Sequence, residues 1–492
     1  MNITKFIIEN SKNILLKDKI AIQYLNKSIS YKELGRDIHS LAEYIKEITK
    51  GRSSNISIFL PNGVQFVYSY YAIHRAGSNI ISINSRSTTR EISHILNDSQ
   101  SSIVITNSVY EKMIPANLNC SVINLNEFDK IEKLDFKNNI NNELNDTHSV
   151  LYSSGTTGDP KGVILNQKNI ITNSKSVIHH LEISDDDSLL VFLPLTHCFG
   201  QNFIMNSCLM SGAKLVIMEK YETKEMFNLI ESENISHFFA VPFIFKKLLN
   251  QNNIKDKFKN IRLFFSAADT LDPVLSTKWK SLTNKNIYEG YGLTESSPFA
   301  SYNGGKYYKH GSIGKPIIDV QMKIEKEDGT EANSFQIGEI LIKGPNIMLG
   351  YLGDHEQTII KNQWLYSGDF GYKDRDGYYY IKGRKKEMIN VMGNKVWPAE
   401  VEKVISELKH VSGVAVIGIP DIRLGEKVVA FVTSLSVVNR DLVKVYCKKN
   451  LSKYKVPLEI LQLKSLPMSG SGKILKNILK RDYLTLAQIK HN

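Results

Sequence analysis

The sequence predicts an α/β fold in which helices cover parallel sheets, followed by a small β subdomain and a compact α+β unit. Three observations support this prediction. Up to residue 302, short apolar runs typical of strands alternate with amphipathic runs typical of helices, a pattern that indicates helix-covered parallel sheets. From Tyr302 to Arg384, short strands separated by glycine turns follow. Beyond Arg384, helices and strands alternate again. The 492 residues suffice for about two to four domains.

The elements of the first part follow from local patterns. A hairpin is expected at residues 20–24 and 27–29. Ser30 and Glu33 have the spacing of a capping box before a run with helical periodicity, so a helix is expected there. The further expected elements are strands at 56–60, 80–83, 103–105, 189–193, 214–218, 237–241 and 261–266, and helices at 64–76 and 90–96. The polar segment 129–145 is expected to be a surface connection.

The C-terminal part has the elements of a small core of its own. Helices are expected at 398–408 and 441–450, and strands at 414–417 and 428–432. We therefore place a domain boundary at about residues 382–386. No internal repeat is visible in the sequence.

Composition limits the class of protein. The formal net charge is +12, but the lysines are spread through Asn/Lys/Ile-rich sequence, so an anionic substrate or an acidic carrier protein fits better than nucleic acid. The four cysteines show no CxxC spacing, which indicates reduced thiols rather than disulfides or a zinc site. No run of 18 or more apolar residues and no leader pattern is present. A cytosolic protein without a transmembrane segment is expected.

One stretch, residues 152–162, is built to hold a polyphosphate. Its glycines allow close approach of the backbone to an anion, and its hydroxyls and one ammonium supply donors that match phosphate oxygens. Apolar runs flank it, so the loop is expected to join two strands. Pro160 precedes the lysine and no helix opens there, which excludes a Walker loop. The residues expected to contact phosphate are Ser153, Ser154, Gly155, Thr156, Thr157, Gly158 and Lys161.

Other polar clusters follow expected strand ends, where open α/β sheets bind ligands. Residues 266–271 are small enough for a flat base to lie against the backbone, although a simple turn with Asp269 and Thr270 capping the next helix explains them equally well. In residues 288–295, Glu295 is a hard ligand of the kind that Mg²⁺ prefers, and Thr294 can bond a phosphate bridged by the same ion. Asp369 supplies a carboxylate that accepts hydrogen bonds, and Arg384 supplies a guanidinium that donates them. Lys473 lies in a Gly/Ser loop from which it can reach over a site.

These motifs, in this order, resemble those of the adenylate-forming superfamily, which comprises acyl- and aryl-CoA synthetases, peptide-synthetase adenylation domains and beetle luciferases. The resemblance spans the chain and is strongest to the acyl-CoA synthetases. It implies a large N-terminal domain of two helix-covered sheets plus a small β subdomain, and a small mobile α+β C-terminal domain. In this chain, the domains would be residues 1–382 and 387–492, joined by a hinge at 383–386.

The resemblance also assigns roles to matched positions. His197 would border the acyl pocket, and Lys473 would be the catalytic lysine that neutralises charge between carboxylate and α-phosphate. Met468 stands where the family usually has a basic residue, so a cofactor contact made by that basic residue is not expected here. The resemblance further implies contacts with the nucleotide and its metal: adenine would be contacted by Ala267, Ala268, Asp269, Tyr291 and Gly292, phosphate by Thr294, Mg²⁺ by Glu295, and ribose by Asp369 and Arg384. Lys386 would be the hinge residue, and Gly393 would line the pantetheine tunnel.

The implied reaction is ATP-dependent ligation of a carboxylic acid to a thiol through an acyl-AMP. Catalysis would consist of positioning and charge neutralisation, with no nucleophilic side chain. ATP and Mg²⁺ are the expected cofactors. CoA is the first choice of acceptor, and the phosphopantetheine of a carrier protein is the second. A luciferase-like oxygenase and a non-catalytic nucleotide-binding partner are the alternatives from another class, and the presence of Lys473 and Glu295 argues against the second.

The expected acid is a fatty or other apolar acid. Cys198 occupies the position at which the amino-acid-activating branch has an aspartate, and a thiol supplies no charge for a substrate ammonium. The phenylalanines near the motifs are Phe199, Phe203, Phe239, Phe243 and Phe299. They would line an apolar pocket, with Gly290 leaving room, although core packing explains the same residues.

Overall fold

A computed structural model describes residues 2–116, 118–126, 147–153, 160–353, 359–434, 436–468 and 474–489. The chain divides into two compact units. The first consists of Met1–Met322 and Ile342–Leu365, and the second of Lys323–Leu341 and Tyr366–Asn492. The predicted hinge at 383–386 lies inside the second unit, and the domain division made from the sequence remains a prediction. The segment 129–145, expected to be a surface connection, lies outside the described residues.

The first elements in chain order end with the two strands that flank the expected phosphate loop in the sequence. They are α1 (Thr4–Lys12), β1 (Ile20–Tyr24), β2 (Lys27–Ser30), α2 (Tyr31–Thr49), β3 (Asn55–Ile58), α3 (Val64–Arg75), β4 (Asn79–Ser82), α4 (Thr89–Asp98), β5 (Ile103–Thr106), α5 (Ser108–Glu111), β6 (Ser121–Asn124), β7 (His148–Ser153) and β8 (Lys161–Asn166).

The next elements carry most of the remaining motifs of the first unit. They are α6 (Gln167–Leu181), β9 (Ser188–Val191), a π-helix (Phe199–Asn206), α7 (Ser207–Ser211), β10 (Lys214–Ile217), α8 (Thr223–Ser232), β11 (His237–Ala240), α9 (Pro242–Leu248), α10 (Ile254–Lys257), β12 (Leu263–Ser266), α11 (Pro273–Thr283), β13 (Ile287–Tyr291), a 3₁₀ turn (Thr294–Ser296), β14 (Ser301–Asn303) and β15 (Lys315–Pro316).

The last elements begin in the expected β subdomain. They are β16 (Gln321–Glu325), β17 (Gly338–Lys343), β18 (Gly350–Tyr351), β19 (Ile360–Lys361), β20 (Trp364–Lys373), β21 (Tyr379–Arg384), a 3₁₀ turn (Lys385–Glu387), β22 (Ile389–Val391), β23 (Asn394–Val396), α12 (Pro398–Ser406), β24 (Gly413–Asp421), β25 (Gly425–Thr433), α13 (Arg440–Asn450), β26 (Glu459–Leu463) and α14 (Lys476–Ile489).

Two large sheets form the framework of the first unit. One has the strand order β15-β14-β13-β12-β11-β9-β10-β1-β2, and the other has the order β18-β8-β7-β4-β3-β5-β6. The run from β1 through β13 in the first sheet is parallel, and so are β6, β5, β3, β4 and β7 in the second. The α/β class with helix-covered parallel strands is therefore confirmed.

The edges of both sheets differ from the purely parallel expectation. Strands β2, β14 and β15 pair antiparallel on the first sheet, and β8 and β18 do so on the second. The two-residue connection from β1 to β2 explains the first of these reversals, because neighbouring strands joined by a tight turn can only run antiparallel, whereas parallel neighbours need a crossover.

Two further sheets contain the strands of the expected β subdomain and of the C-terminal part. One sheet has the strand order β16-β17-β20-β19, and β21 pairs with β20. The chain passes from one unit to the other within the strands β16, β17 and β20. The order β23-β22-β25-β24, with β26 on β25, belongs to the second unit. Val428 of this sheet is in one buried apolar cluster with Val401 of α12 and Val443 of α13, so the C-terminal part has the core that its sequence predicts.

Helix boundaries follow the capping chemistry. Ser30 accepts a hydrogen bond from Glu33 N while the Glu33 carboxylate accepts one from Ser30 N at 2.8 Å, so the predicted capping box is present. The helix after residue 266 begins at Pro273 with Asp272 as its N-cap, not at Asp269 or Thr270, because proline is favoured in the first turn of a helix. Among the described helices, none has the length and apolar character needed to span a membrane.

Candidate active site

The expected phosphate loop connects β7 and β8, which pair antiparallel with Ser153 opposite Lys161. The Ser153 hydroxyl donates to the Lys161 carbonyl at 3.5 Å. The two ends of the loop are therefore held together at the edge of the second sheet, as the flanking apolar runs predict. Five of the expected phosphate contacts lie outside the described residues, namely Ser154, Gly155, Thr156, Thr157 and Gly158.

Glu295 and Lys161 both contact Tyr351. The Tyr351 hydroxyl donates to Glu295 Oε1 at 2.7 Å, and Lys161 Nζ lies 5.4 Å from the centre of the Tyr351 ring, within reach of a cation–π interaction. Tyr351 is placed there by the pairing of β18 with β8, in which Tyr351 is opposite Val163. The predicted metal ligand and the predicted phosphate-binding lysine thus share one tyrosine.

His197 and Thr294 meet at the buried thiol of Cys198. Its Sγ lies 3.8 Å from His197 Nδ1 and 3.5 Å from Thr294 Oγ1. His197 Nδ1 also accepts a hydrogen bond from Phe199 N at 3.3 Å, which orients the imidazole at the start of the π-helix. The histidine motif and the Thr-Glu motif, which are far apart in the sequence, therefore converge in the first unit.

Two buried amides hold the segment after Glu295. The Asn173 and Asn346 side chains each donate to the carbonyls of Ser296 and Phe299, at 2.8 to 3.3 Å. In addition, Met348 N donates to the Glu295 carbonyl at 2.9 Å. These bonds come from α6 and from residues 346–348, so the Thr-Glu segment is fixed by parts of the chain on both sides of it.

The expected adenine segment follows β12 directly. Ala267 and Ala268 are half-buried and Asp269 is exposed. Ala268 has φ of 71°, a left-handed conformation that is unfavourable for a residue with a side chain and that is concentrated at ligand-binding sites. Tyr291, at the end of the neighbouring β13, is 7% exposed, and Gly292 follows it. The segment and the tyrosine are thus on adjacent strands of one sheet.

The phenylalanines expected to line an open pocket mostly pack on one another. Phe199, Phe203, Phe239 and Phe299 are 3% exposed or less, whereas Phe243 is 53% exposed. Phe265 joins this cluster, with its ring centre 4.7 Å from that of Phe203. Gly290 does not leave room: a Cβ there would lie 2.4 Å from Phe265. The glycine serves the close approach of an aromatic ring, and the expectation of open space at this residue is wrong.

A half-buried carboxyl lies on β13, the strand of Gly290 and Tyr291. Glu289 is opposite Ser266 of β12 and Asn303 of β14. Burial raises the pKa of Glu289 to about 8, although the Asn303 side chain acts in the opposite direction. The folded protein therefore keeps a neutral carboxylic acid two residues before Tyr291 at pH values where an ordinary glutamate is ionised.

Replacing Glu289 by glutamine should therefore change the pH dependence of stability. Between about pH 4.5 and 8 the unfolded chain loses the proton that the folded chain retains, so this group's contribution to stability falls as pH rises through that window. We expect Glu289→Gln to leave the melting temperature unchanged at pH 5 and to raise it by about 2–4 °C at pH 8.5, as about 1 kcal/mol does in a large domain. The measurement is thermal unfolding across this pH range.

The matched control for Glu289 is Glu231→Gln on the surface of α8, where the side chain is exposed. Its melting temperature should follow the wild type at both pH values. An equal change in both variants would contradict the assignment of the pH dependence to Glu289.

In the second unit, the residues expected to bind ribose face each other across β20 and β21. Arg384 Nε lies 3.1 Å from Asp369 Oδ1, and these residues are opposite in the strand register. The Ser367 hydroxyl accepts from Asp369 N at 3.0 Å. Asp369 is 4% exposed, so a paired carboxylate is held in a fixed orientation. The structure brings these two predicted residues together.

The other predicted residues of the second unit are placed separately. Lys386 is in the turn Lys385–Glu387. Gly393 has φ of 81° and forms, with Met392, the tight turn between β22 and β23. This backbone conformation favours glycine, so the turn by itself accounts for the residue type at this position. Lys473 lies outside the described residues. The roles given to Lys386, Gly393 and Lys473 remain predictions.

The donor set fits a magnesium ion that is held mainly by a nucleotide. Across the described part of the chain, no group of three or more His, Cys, Asp or Glu side chains could hold a metal by itself. Mg²⁺ usually takes one or two carboxylates together with substrate phosphates and water. Glu295, oriented by Tyr351, is the residue that would hold it.

Sequence reasoning missed Tyr351, Asn173 and Asn346. Each acts through a contact between residues more than 40 positions apart, and none belongs to a recognisable local motif. No sequence pattern indicated Tyr351, which lies on the two-residue strand β18. It also missed the π-helix that follows His197, a distortion that occurs frequently at functional sites.

Together, the fold and the placed motifs define the class of adenylate-forming enzymes. A sequence profile described as AMP-binding enzyme matches residues 15–352, and one described as AMP-binding enzyme C-terminal domain matches residues 400–473. The chain belongs to the AMP-binding enzyme family. This confirms the predicted superfamily and the predicted class of enzyme, an AMP-forming acid–thiol ligase.

Curated relatives cover nearly the whole chain. A 2-succinylbenzoate–CoA ligase of Bacillus cereus is 28% identical over 475 residues, which are 95% of this chain and 96% of the relative. A long-chain-fatty-acid–CoA ligase of Bacillus subtilis is 28% identical over 512 aligned positions, covering 94% and 91%. The chain is thus similar in sequence to ligases for two different kinds of acid.

Solved structures also match nearly the whole chain. ATP-bound MatB from Rhodopseudomonas palustris superposes with a TM-score of 0.89 at 25% identity, covering 98% of this chain and 99% of that one. The o-succinylbenzoate CoA synthetase MenE from Bacillus subtilis, in complex with ATP and magnesium ion, gives 0.85 at 26% identity and covers 96% and 99%.

Proposed function

We propose that this enzyme activates an apolar aryl acid as acyl-AMP and transfers the acyl group to CoA. The observation that carries the proposal is the convergence of Lys161, Thr294 and Glu295 in the first unit. Tyr351 contacts the first and the last of these residues. Thr294 is connected through Cys198 to His197, the residue expected at the acyl pocket.

In the first half-reaction, a carboxylate oxygen of the acid attacks the α-phosphorus of ATP. The bond from that phosphorus to the bridging oxygen breaks, and pyrophosphate leaves. Lys161 lies at the base of the phosphate loop, where its ammonium can bind phosphate oxygens. Lys473 is assigned to the negative charge that builds up between the carboxylate and the α-phosphate, the kind of stabilisation that usually dominates catalysis.

Magnesium supplies Lewis-acid neutralisation of the triphosphate when bound. Glu295 would hold it, and the hydrogen bond from Tyr351 orients the carboxylate for that task. Thr294 is next to Glu295 and presents a hydroxyl that can donate to a phosphate oxygen. ATP, Mg²⁺ and CoA are accordingly the cofactors of the reaction, and the MenE relative has been solved with the first two.

In the second half-reaction, the thiol sulfur of CoA attacks the acyl carbon and the bond to the AMP oxygen breaks. AMP leaves, and the thiol proton passes to solvent or to a nearby base. His197 borders the pocket, and its Nδ1 accepts from Phe199 N, so the ring orientation is fixed. We assign the change between half-reactions to rotation at Lys386, which moves Lys473 away and brings Gly393 to the pantetheine.

The choice of an aryl acid rests on the aromatic cluster beside His197. Phe199, Phe203 and Phe265 are buried against one another, with ring centres 4.7 to 6.2 Å apart. Phe265 also fills the space over Gly290. Because they are packed on one another, the described phenylalanines do not line an open channel of the length that a long alkyl chain needs, and the Bacillus cereus relative is named for an aromatic acid, 2-succinylbenzoate. The fatty acid expected from the sequence is therefore the second candidate.

The decisive experiment measures AMP formation with a panel of carboxylic acids, with free CoA and with a holo-carrier protein. Matched pairs of benzoate-type and alkanoate acids of equal carbon number separate the two acid classes. We expect acid-dependent pyrophosphate release for aryl acids and thioester product with CoA. The carrier-protein alternative predicts thioester only on the carrier.

Two outcomes of this panel would contradict parts of the proposal. Faster turnover of long alkanoates than of aryl acids would contradict the acid class but leave the ligase intact. Absence of AMP with every acid would contradict the ligase function itself. The cytoplasmic location expected from the sequence belongs to this proposal and fits a reaction that consumes ATP and CoA.

A further inference from the structure

Lys476, the first residue of α14, is part of a partly buried ion triad in the second unit, in which the Glu387 side chain is 36% exposed. Its Nζ lies 2.8 Å from Glu402 Oε1 and 3.0 Å from Glu387 Oε2. The side chains of Lys476 and Glu402 are 21% and 19% exposed. Glu402 is on α12, and Glu387 is in the turn Lys385–Glu387. The triad therefore joins three separate segments of the chain.

The contacts within the triad favour the charged form of Lys476. Burial alone would lower the pKa of Lys476, but the two carboxylates outweigh this effect and raise the pKa above its ordinary value. Glu402 Oε1 also accepts a hydrogen bond from Val416 N of β24 at 2.8 Å. Buried ion pairs add little net stability because desolvation opposes them, and their better-attested role is to specify one arrangement. In this triad the two carboxylates tie the first residue of α14 to α12 and to the turn Lys385–Glu387.

The segment before Lys476 is fastened at both ends. Leu475 N donates to the Pro467 carbonyl at 2.8 Å, and Met468 and Ile474 form an antiparallel bridge. These contacts hold together the residues on either side of 469–473, the segment that includes Lys473. Lys476, which directly follows these paired residues, links them to Glu387 through its ammonium. Glu387 in turn directly follows the predicted hinge residue Lys386.

We propose that Lys476, held by Glu387 and Glu402, is a positioning residue that fixes Lys473 relative to the hinge turn during formation of the acyl-adenylate. This inference rests on the proposed function, which gives Lys473 its role. The bond from Lys476 to Glu387 transmits a backbone rotation at Lys386 to the base of the lysine-bearing segment. No substrate contact is assigned to any member of the triad.

The test removes the hinge side of the triad with Glu387→Ala, which leaves the pair between Lys476 and Glu402. Because small displacements of a catalytic group can cost up to about 10²-fold in rate, we expect the kcat of acid-dependent ATP–pyrophosphate exchange to fall about tenfold. KM for ATP and acid should not change. Thioester formation from supplied acyl-adenylate and CoA should also be unchanged, because Lys473 does not act in that step.

Two further variants separate positioning from folding. Glu387→Gln keeps an oxygen that accepts from the Lys476 ammonium, so it should recover most of the lost rate. Glu400→Ala breaks another lysine–glutamate bond of α12, in which Lys455 Nζ lies 2.6 Å from Glu400 Oε1, and it should leave both half-reactions at the wild-type rate. Thermal unfolding of each full-length variant monitors folding.

A double variant provides the sharpest comparison. If Glu387 acts through Lys473, adding Glu387→Ala to Lys473→Ala should cause no further loss of exchange, because coupled residues are non-additive. Independent, multiplied losses would overturn the positioning role, as would equal losses in both half-reactions. If Lys473→Ala is inactive and Glu387→Ala is fully active, only the positioning role fails. If Lys473→Ala keeps full exchange, the proposed function of Lys473 fails.

Discussion

Alanine in place of Lys473 should lower acid-dependent exchange of pyrophosphate into ATP by about 10²–10³-fold, the usual cost of removing a donor aimed at developing charge. The ammonium is assigned to the step in which carboxylate and α-phosphate oxygens approach each other. It has no such task once the acyl-adenylate exists. Thioester formation from supplied acyl-adenylate should therefore proceed at close to the wild-type rate. Both half-reactions are measured on the same purified full-length protein.

The matched control for Lys473→Ala is Lys480→Ala on α14, whose side chain is 43% exposed and whose Nζ lies 3.8 Å from Glu426 Oε1. It removes the same charge from the same region, so both half-reactions should be unaffected. Equal loss of both half-reactions in Lys473→Ala, with an unchanged melting temperature, would contradict the division of labour between the two steps.

Local sequence patterns predicted those parts of the fold that local physics determines. The capping box at Ser30 and Glu33 and the strands β9 to β12 follow from side-chain chemistry and periodicity within a few residues. The pairing of β18 with β8 could not be predicted this way, because it joins residues 350–351 to 163–164. Two-residue strands carry almost no periodicity, and only tertiary packing places them.

The same distinction applies to the site. Glu295 and Lys161 are recognisable because their neighbours form motifs, yet nothing in those motifs indicates that Tyr351 contacts both of them. Gly290 shows the converse error. A glycine beside a binding motif suggested open space, but the structure uses the missing side chain to admit Phe265. Whether a glycine leaves a cavity or admits a neighbour depends on residues elsewhere in the chain.

Glutamine in place of Glu295 should lower the rate of AMP formation by about 10²-fold and raise the Mg²⁺ concentration needed for half-maximal rate. A metal's stabilisation of transition-state charge amounts to several kcal/mol, and each 1.36 kcal/mol is about tenfold in rate. Glutamine keeps the size of the side chain and an oxygen that accepts from the Tyr351 hydroxyl, so the loss reports the missing negative charge. Initial rates over a Mg²⁺ titration provide the measurement.

Tyr351→Phe distinguishes the charge of Glu295 from its orientation. It removes the 2.7 Å hydrogen bond and keeps the carboxylate, and loss of a partner that orients a metal ligand typically costs about 10–100-fold in metal affinity or activity. We therefore expect a smaller loss than in Glu295→Gln, again with a higher Mg²⁺ requirement. Glu233→Gln, which alters a carboxylate 3.0 Å from Lys214 Nζ, should change neither quantity. If Glu295→Gln keeps the wild-type Mg²⁺ dependence in both rate and Mn²⁺–ATP binding, Glu295 is not the metal ligand.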